Sequence, residues 1–258
     1  MPPHWTRAAA VLLAALSAVS GCVREHPLAT PKHEPPPSVI VDQPPERRVV
    51  DNPIVTTAKP SVVAVRGVAC HELTGGSGFV IGPNRVISLA TAVAGSAVAG
   101  VYADGRSYRA RVVDFDPRAN VAILDVPNLA VAPLSLAPSR AKKGADVLIL
   151  GYPTRSGPEA VAASIRQFAL ARGEDIYQGD AVTREAYEVN GVMDPRSAGG
   201  PLIDMDGRVL GMVLGREVQR LEVVLVLSAR EISRHLVKAD KSALTAPTGP
   251  CIAPPSGL

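Results

Sequence analysis

From Ile54 to about Val237 the chain alternates short apolar, β-branched runs with turn residues, a pattern that predicts strands. The first set falls at residues 61–66, 78–81, 85–88, 98–102, 108–114 and 121–124, with turns at Gly82-Pro83-Asn84 and Asp104-Gly105. After a proline-containing stretch at 131–139, a second set follows at 146–150, 164–171, 185–189, 201–204, 208–214 and 223–227, with Asp206-Gly207 as a hairpin turn. Two sets of six short strands joined by one connection predict an all-β fold of two antiparallel β-barrels, over 54–140 and 141–239. The sequence then changes period. Ser228-Ala229-Arg230-Glu231 reads as a capping box, and Ile232, Leu236 and Val237 share a face, predicting a C-terminal α-helix.

Composition agrees with strands. Hydrophobic residues make up 47% of the 258 positions but aromatics only 3%, so the core is built from small branched side chains. The net charge of +3 is spread without a long basic run, which excludes a nucleic-acid footprint. Mild basicity is compatible with an anionic membrane surface. No group of His, Cys, Asp or Glu has metal-ligand spacing, and neither a metal nor a cofactor is expected.

The N-terminus carries an address. Arg7 precedes an apolar run over 8–19, too short to span a bilayer and suited to a signal-peptide core. It ends in Val19-Ser20-Gly21-Cys22, which resembles the lipobox of bacterial lipoproteins. The resemblance implies removal of residues 1–21 and a lipid on Cys22, hence anchoring on the extracytoplasmic face of the cell membrane; the alternative is simple release with Cys22 incidental. Residues 23–53 hold eight prolines and no periodic apolar pattern, so 22–53 is expected to be an extended tether. Of three cysteines, the lipid would take one, leaving Cys70 and Cys251 to pair in an oxidising compartment. Such a bridge would tie back the tail at 240–258; two free thiols are the alternative.

Three segments carry a family resemblance. They are Gly76-Ser77-Gly78-Phe79-Val80-Ile81, then Asp116-Pro117-Arg118-Ala119-Asn120-Val121-Ala122-Ile123-Leu124, then Ser197-Ala198-Gly199-Gly200-Pro201-Leu202-Ile203-Asp204 followed by Gly207-Arg208-Val209-Leu210-Gly211. In order and spacing they resemble trypsin-like (chymotrypsin-fold) serine proteases of the bacterial periplasmic type. With the flanking cysteines, the chain looks most like the mycobacterial membrane-bound acid-resistance proteases. Carried over position by position, the resemblance puts Thr91 where the family has its histidine, Asn120 at its aspartate and Ala198 at its serine. Arg196 stands at the glycine that supplies an oxyanion N–H. Alanine has no nucleophilic atom, threonine is no general base near neutral pH, and asparagine has no charge to stabilise an imidazolium. No catalytic residue is therefore expected. Ser197 is shifted by one residue and should point away, and His4, His26, His33, His71 and His235 lie outside the matched cleft. Asp114, Asp116 and Asp125 are read as solvated turn and strand-end groups.

The resemblance still implies a peptide cleft. Its sheet edge would be Leu214-Gly215-Arg216, its S1-like position Val192, and Arg196, Ala198 and Gly199 would line it. Residues 154–183 are expected to border this cleft and to be able to plug it. The function expected is a pseudoprotease that binds a peptide or partner protein in the envelope and regulates an active relative. A rewired or weakly active hydrolase and a purely structural lipoprotein are the alternatives.

Overall fold

The computed structural model describes residues 52–96, 98–154, 156–240 and 244–252. The expected leader, Cys22 and nearly all of the tether lie outside the described residues. In the first half, β1 (Val62–Ala69), β2 (Glu72–Gly82), β3 (Arg85–Ser88), β4 (Ala99–Ala103), β5 (Arg106–Asp116) and β6 (Val121–Asp125) form one sheet. Its order is β1-β2-β3-β6-β5-β4, and β4 pairs back onto β1 to close a barrel. In the second half, β7 (Asp146–Thr154), β8 (Gly157–Glu174), β9 (Ala181–Asn190), β10 (Pro201–Ile203), β11 (Val209–Arg216) and β12 (Val223–Ser228) follow. They are ordered β10-β11-β12-β9-β8-β7 and closed by the β7–β10 pair. All these pairings are antiparallel, so the expected pair of barrels is the architecture found.

Each barrel has its own aliphatic core. Val63, Val65, Val80, Val101 and Leu124 fill the first, and Ile149, Ile165, Val189, Leu202 and Val213 the second. A third cluster occupies the seam, where Phe79, Ile87 and Ile123 from one barrel meet Leu148, Ile203, Val209 and Met212 from the other. The connection crosses this seam as an extended strap: the Leu134 N–H donates to Val80 O and the Ala137 N–H to Val209 O.

Helices close the seam at both ends. The segment opening the domain is the short helix α1 (Pro53–Ala58), despite its β-branched content. The Asn52 side chain caps it by accepting from the Ile54 N–H, and Val55 and Ala58 are buried in the seam cluster. The C-terminal helix is α2 (Ala229–Asp240). Ser228 Oγ accepts from the Glu231 N–H as the capping box requires, but Glu231 turns toward β9, pairing with Arg234 and accepting from the Glu185 N–H. The buried face is Ile232, His235 and Ala239, whereas Val237, expected inside, is exposed.

Two expectations are corrected. Asp114 is 2% exposed and paired, not solvated: its carboxylate lies 2.9 Å from His235 Nδ1 and is bridged by Lys238. Asp125 likewise pairs with Arg85 and Arg111, because β3 and β5 flank β6 and bring both arginines alongside it. Asp116 is a turn group as expected, accepting from the Arg118 and Ala119 N–H groups. Residues 154–183 form no separate plug. Apart from Thr154 at the end of β7, they build the long β8–β9 hairpin, paired as far as Glu174 with Ala181. Its tip leans on the β5–β6 turn, where the Ile176 N–H donates to Pro117 O and Arg118 pairs with Asp180.

Cys70 and Cys251 are bonded, their Cα atoms 6.1 Å apart across 181 residues of sequence. Cys70 and His71 form the tight β1–β2 turn, both in the left-handed region with φ of 50° and 66°. The tail is held by more than sulfur. The Ala246 N–H donates to Val112 O, the Gly95 N–H to Thr248 O, and the Tyr177 hydroxyl to Pro250 O.

Candidate functional site

The site lies where β2 meets the loop before β10, and small residues make that approach possible. The Ser77 N–H donates to Ala198 O at 2.8 Å, and Ser77 Oγ donates to Arg196 O while accepting from the Tyr152 N–H. Gly76 leaves room for Ala198 O and lies beside Ala92; a Cβ there would be 2.9 Å from that oxygen. Gly199 has φ +90°, and a Cβ would fall 2.1 Å from Ser77 O, so only glycine fits. The Gly-Ser-Gly stretch of β2 is thus the socket for the loop carrying Ala198.

The three matched positions are drawn into this region. Thr91 sits in a 3-10 turn over Ala90–Ala92, just after β3. Asn120, with φ +58°, ends the β5–β6 turn. Asn120 Oδ1 accepts from the Thr91 N–H at 3.0 Å, so an amide oxygen fixes one loop against the other. Among the described residues, the Thr91 hydroxyl has no hydrogen-bond partner. Across Gly76 from Ala92, the neighbour of Thr91, lies the Ala198 carbonyl, and the Ala198 methyl packs against both the seam and the second-barrel cores.

The loop before Ala198 is a closed 3-10 turn, Pro195–Ser197. Asp194 caps it: Oδ1 accepts from the Arg196 N–H at 2.8 Å, and the Arg196 guanidinium doubles back with bonds of 3.1 and 2.9 Å to the same carboxylate. Those Arg196 bonds, side chain first, hold the Asp194 carboxyl below its ordinary range. The Ala198 N–H donates to Pro195 O at 3.1 Å. An oxyanion hole needs the N–H of the nucleophile position and of the residue two before it. Here both N–H groups are engaged within the turn. Ser197 is buried, and its Cβ would be 2.3 Å from a Cβ placed at Gly151, so its hydroxyl belongs to the packing between loop and β7.

The sheet edge has a different character. β11 pairs with β12 through Arg216, but β10 pairs with β11 only over Val209–Met212. Beyond the bond from the Gly199 N–H to Val213 O, the stretch Leu214-Gly215-Arg216 has no strand on that side among the described residues. Gly215, at φ +154°, gives a register shift that bends this edge. Val192 is 60% exposed beside the β11–β12 hairpin, where the neighbouring Gly191 N–H donates to Glu222 O, and Val218 and Leu221 are exposed nearby. Val192, Arg196, Ala198, Gly199, Leu214, Gly215 and Arg216 therefore all lie on the loops and edge of one half of the second barrel. Sequence reasoning missed Asp194 and Ser77, although the Asp-Pro that opens a 3-10 turn is a visible capping signal. Among the described residues, no three His, Cys, Asp or Glu side chains are placed to hold a metal ion.

Comparison with known proteins identifies the frame. A family model described as a trypsin-like peptidase domain matches residues 76–212. The serine protease Rv3671c of Mycobacterium tuberculosis is 39% identical over 255 residues, covering 97% of this chain and 62% of the relative. The chain thus spans about three-fifths of that protein. The crystal structure of the Rv3671c protease in its active form superposes with a TM-score of 0.79 at 41% identity, covering 82% of this chain and 94% of that one. A probable periplasmic DegP-like serine endoprotease of Bartonella henselae is 28% identical over 137 residues, 52% of this chain and 25% of its own. The socket at Gly76–Gly78, the loop at Ala198 and the paired barrels are all those of one family: the chain belongs to the trypsin-like peptidases.

Proposed function

We propose that this chain is a catalytically inactive serine protease homologue, held at the cell envelope by a lipid on Cys22, that binds an extended peptide segment of a partner protein. The observation that carries the reading is the link from the Thr91 N–H to Asn120 Oδ1. It keeps the two loops at the position a proton relay would need, with side chains that cannot relay a proton. Ala198 offers no nucleophile, and the turn before it already uses both oxyanion donors. The hydroxyl adjacent to it in sequence, on Ser197, is packed against Gly151, and that of Ser77 is committed to Arg196 O, which speaks against a rewired hydrolase.

What remains usable is the edge. Leu214-Gly215-Arg216 offers backbone groups for strand addition, and Val192 offers an apolar contact for one side chain of the added strand. Such a module would act by occupying a segment, including one that an active relative would cut. The periplasmic description of the DegP-like relative supports the extracytoplasmic side. The test uses the purified protein, a serine-directed phosphonate and a library of extended peptides. No labelling and no cleavage is expected, with hydrogen-exchange protection at residues 214–216 on peptide binding and loss of that binding in Val192→Asp. Labelling or turnover would overturn the inactive reading. Absence of any peptide binding would favour a purely structural lipoprotein.

A further inference from the structure

The solvent face of the first barrel carries an ordered pattern that the cleft does not use. Strand register aligns its outward side chains in rows across β2, β1, β4 and β5. Nearest the second barrel is Tyr102, which meets Tyr152 edge to face at 6.0 Å. The next row reads Gly75, Arg66, Gly100, Arg109, because Arg66 pairs with both Gly75 and Gly100, and Gly100 pairs with Arg109. Beyond it Val68 pairs with Leu73, and Val98 precedes the Ala99 that pairs with Gly67. Leu73 is 79% exposed, Val68 58% and Val98 50%. Ile252 follows the cysteine bonded to Cys70 and brings a fourth apolar side chain to the hairpin tip.

Two exposed arginines, separated by side-chain-free glycine, therefore run beside an exposed aliphatic row. Neither Arg66 nor Arg109 has a carboxylate partner among the described residues, and Glu72 at the hairpin tip leaves the face net positive. Aliphatic groups flanked by unpaired cations match the boundary between headgroups and acyl chains of an anionic bilayer. We infer that this face of the first barrel rests on an anionic lipid surface. The inference takes its setting from the lipid-anchor half of the proposed function and is independent of peptide binding. If residues 22–53 form the expected tether, about 30 residues at ~3 Å each would let the domain turn this face to the membrane.

The test is vesicle sedimentation of the chain from residue 22 onward with Cys22→Ser, so that neither lipid nor leader contributes. Vesicles of phosphatidylcholine with 30% phosphatidylglycerol, a ratio of roughly that order giving a strong anionic surface, are compared with phosphatidylcholine alone. Binding to the anionic vesicles alone is expected, weakening with salt and falling about fivefold for each of Arg66→Gln and Arg109→Gln. Val68→Thr with Leu73→Thr, which keeps strand propensity, should abolish it. No sedimentation, equal binding to neutral vesicles, or binding indifferent to these substitutions overturns the inference. Loss of pull-down of an acidic protein by the same substitutions, without vesicle binding, would assign the face to that protein instead. Acylation of Cys22 is read separately by fatty-acid labelling, so the anchor and the face can fail independently.

Discussion

Ala198 packs its methyl into two cores while its N–H is spent on Pro195, so replacing the side chain alone cannot restore chemistry. Ala198→Ser should be silent in a peptide-ester assay. The triple variant Thr91→His, Asn120→Asp, Ala198→Ser rebuilds the relay but leaves the Arg196 N–H on Asp194. Adding Asp194→Ala removes the carboxylate that holds this N–H and should free the donor and raise kcat about 10²–10³-fold over the triple variant. Equal rates would show that the closed turn is not the limiting defect. A second residue, Asp114, makes stability depend on pH. Burial pushes its carboxyl up, but the hydrogen bonds from His235 and Lys238, together with their charges, outweigh this and hold it below its ordinary 3.8. An ionised carboxylate only accepts, so His235 donates from Nδ1. A depressed carboxyl stabilises fully above its unfolded value and loses that contribution as pH falls through its folded value. Asp114→Ala should therefore cost about 1–3 kcal/mol near pH 6, and the deficit should shrink below about pH 3.8, read by urea unfolding at pH 6 and pH 3.

At the scale of elements, α2 separates what pattern can reveal from what it cannot. Its start was legible because a hydroxyl cap is a local signal, and Ser228 does cap it. Its buried face was legible only in part: Ile232 and Leu236 pack on the seam as expected, but Val237 does not, because a histidine supplies the middle of that face and its partner Asp114 lies 121 residues away. Ile232→Ala should cost about 2–5 kcal/mol, whereas Val237→Ala should stay within about 0.5 kcal/mol of wild type in thermal unfolding. The strands follow the same logic. β6 and β12 are nearly continuous apolar runs, buried along most of their length, and read directly from sequence. β8 runs eighteen residues, longer than its apolar core suggests, because its outer half is half-exposed and held by pairing with β9, not by burial. α1 was invisible because Ile54, Val55 and Thr56 favour strands; the Asn52 cap and two buried side chains override them. In the site, motif order pointed to Thr91, Asn120 and Ala198, whereas the closed donors depend on Asp194 folding back onto the Arg196 N–H, a local capping signal that lies outside the matched motifs.

For the molecule as a whole, each end of the described residues clasps the barrel it does not adjoin. α1 precedes the first barrel, yet Ile54 sits over Gly207 in the β10–β11 turn of the second, and Val55 shares a cluster with Leu148 and Ile203. The tail follows the second barrel, yet lies along β5 of the first and is bonded to Cys70. The barrels are therefore laced into one cooperative unit, and a fragment ending near residue 140 would lack the tail that lies along β5. The bond between Cys70 and Cys251 also decides where a mechanical load would travel. A pull applied between an anchored N-terminus and the C-terminus passes from residue 70 directly to residue 251 through sulfur, so the 180 residues between them are spared tension. Among the described residues, only 52–70 and 251–252 would bear force, and a protein tethered at a moving surface would keep its barrels in shape while its ends are drawn.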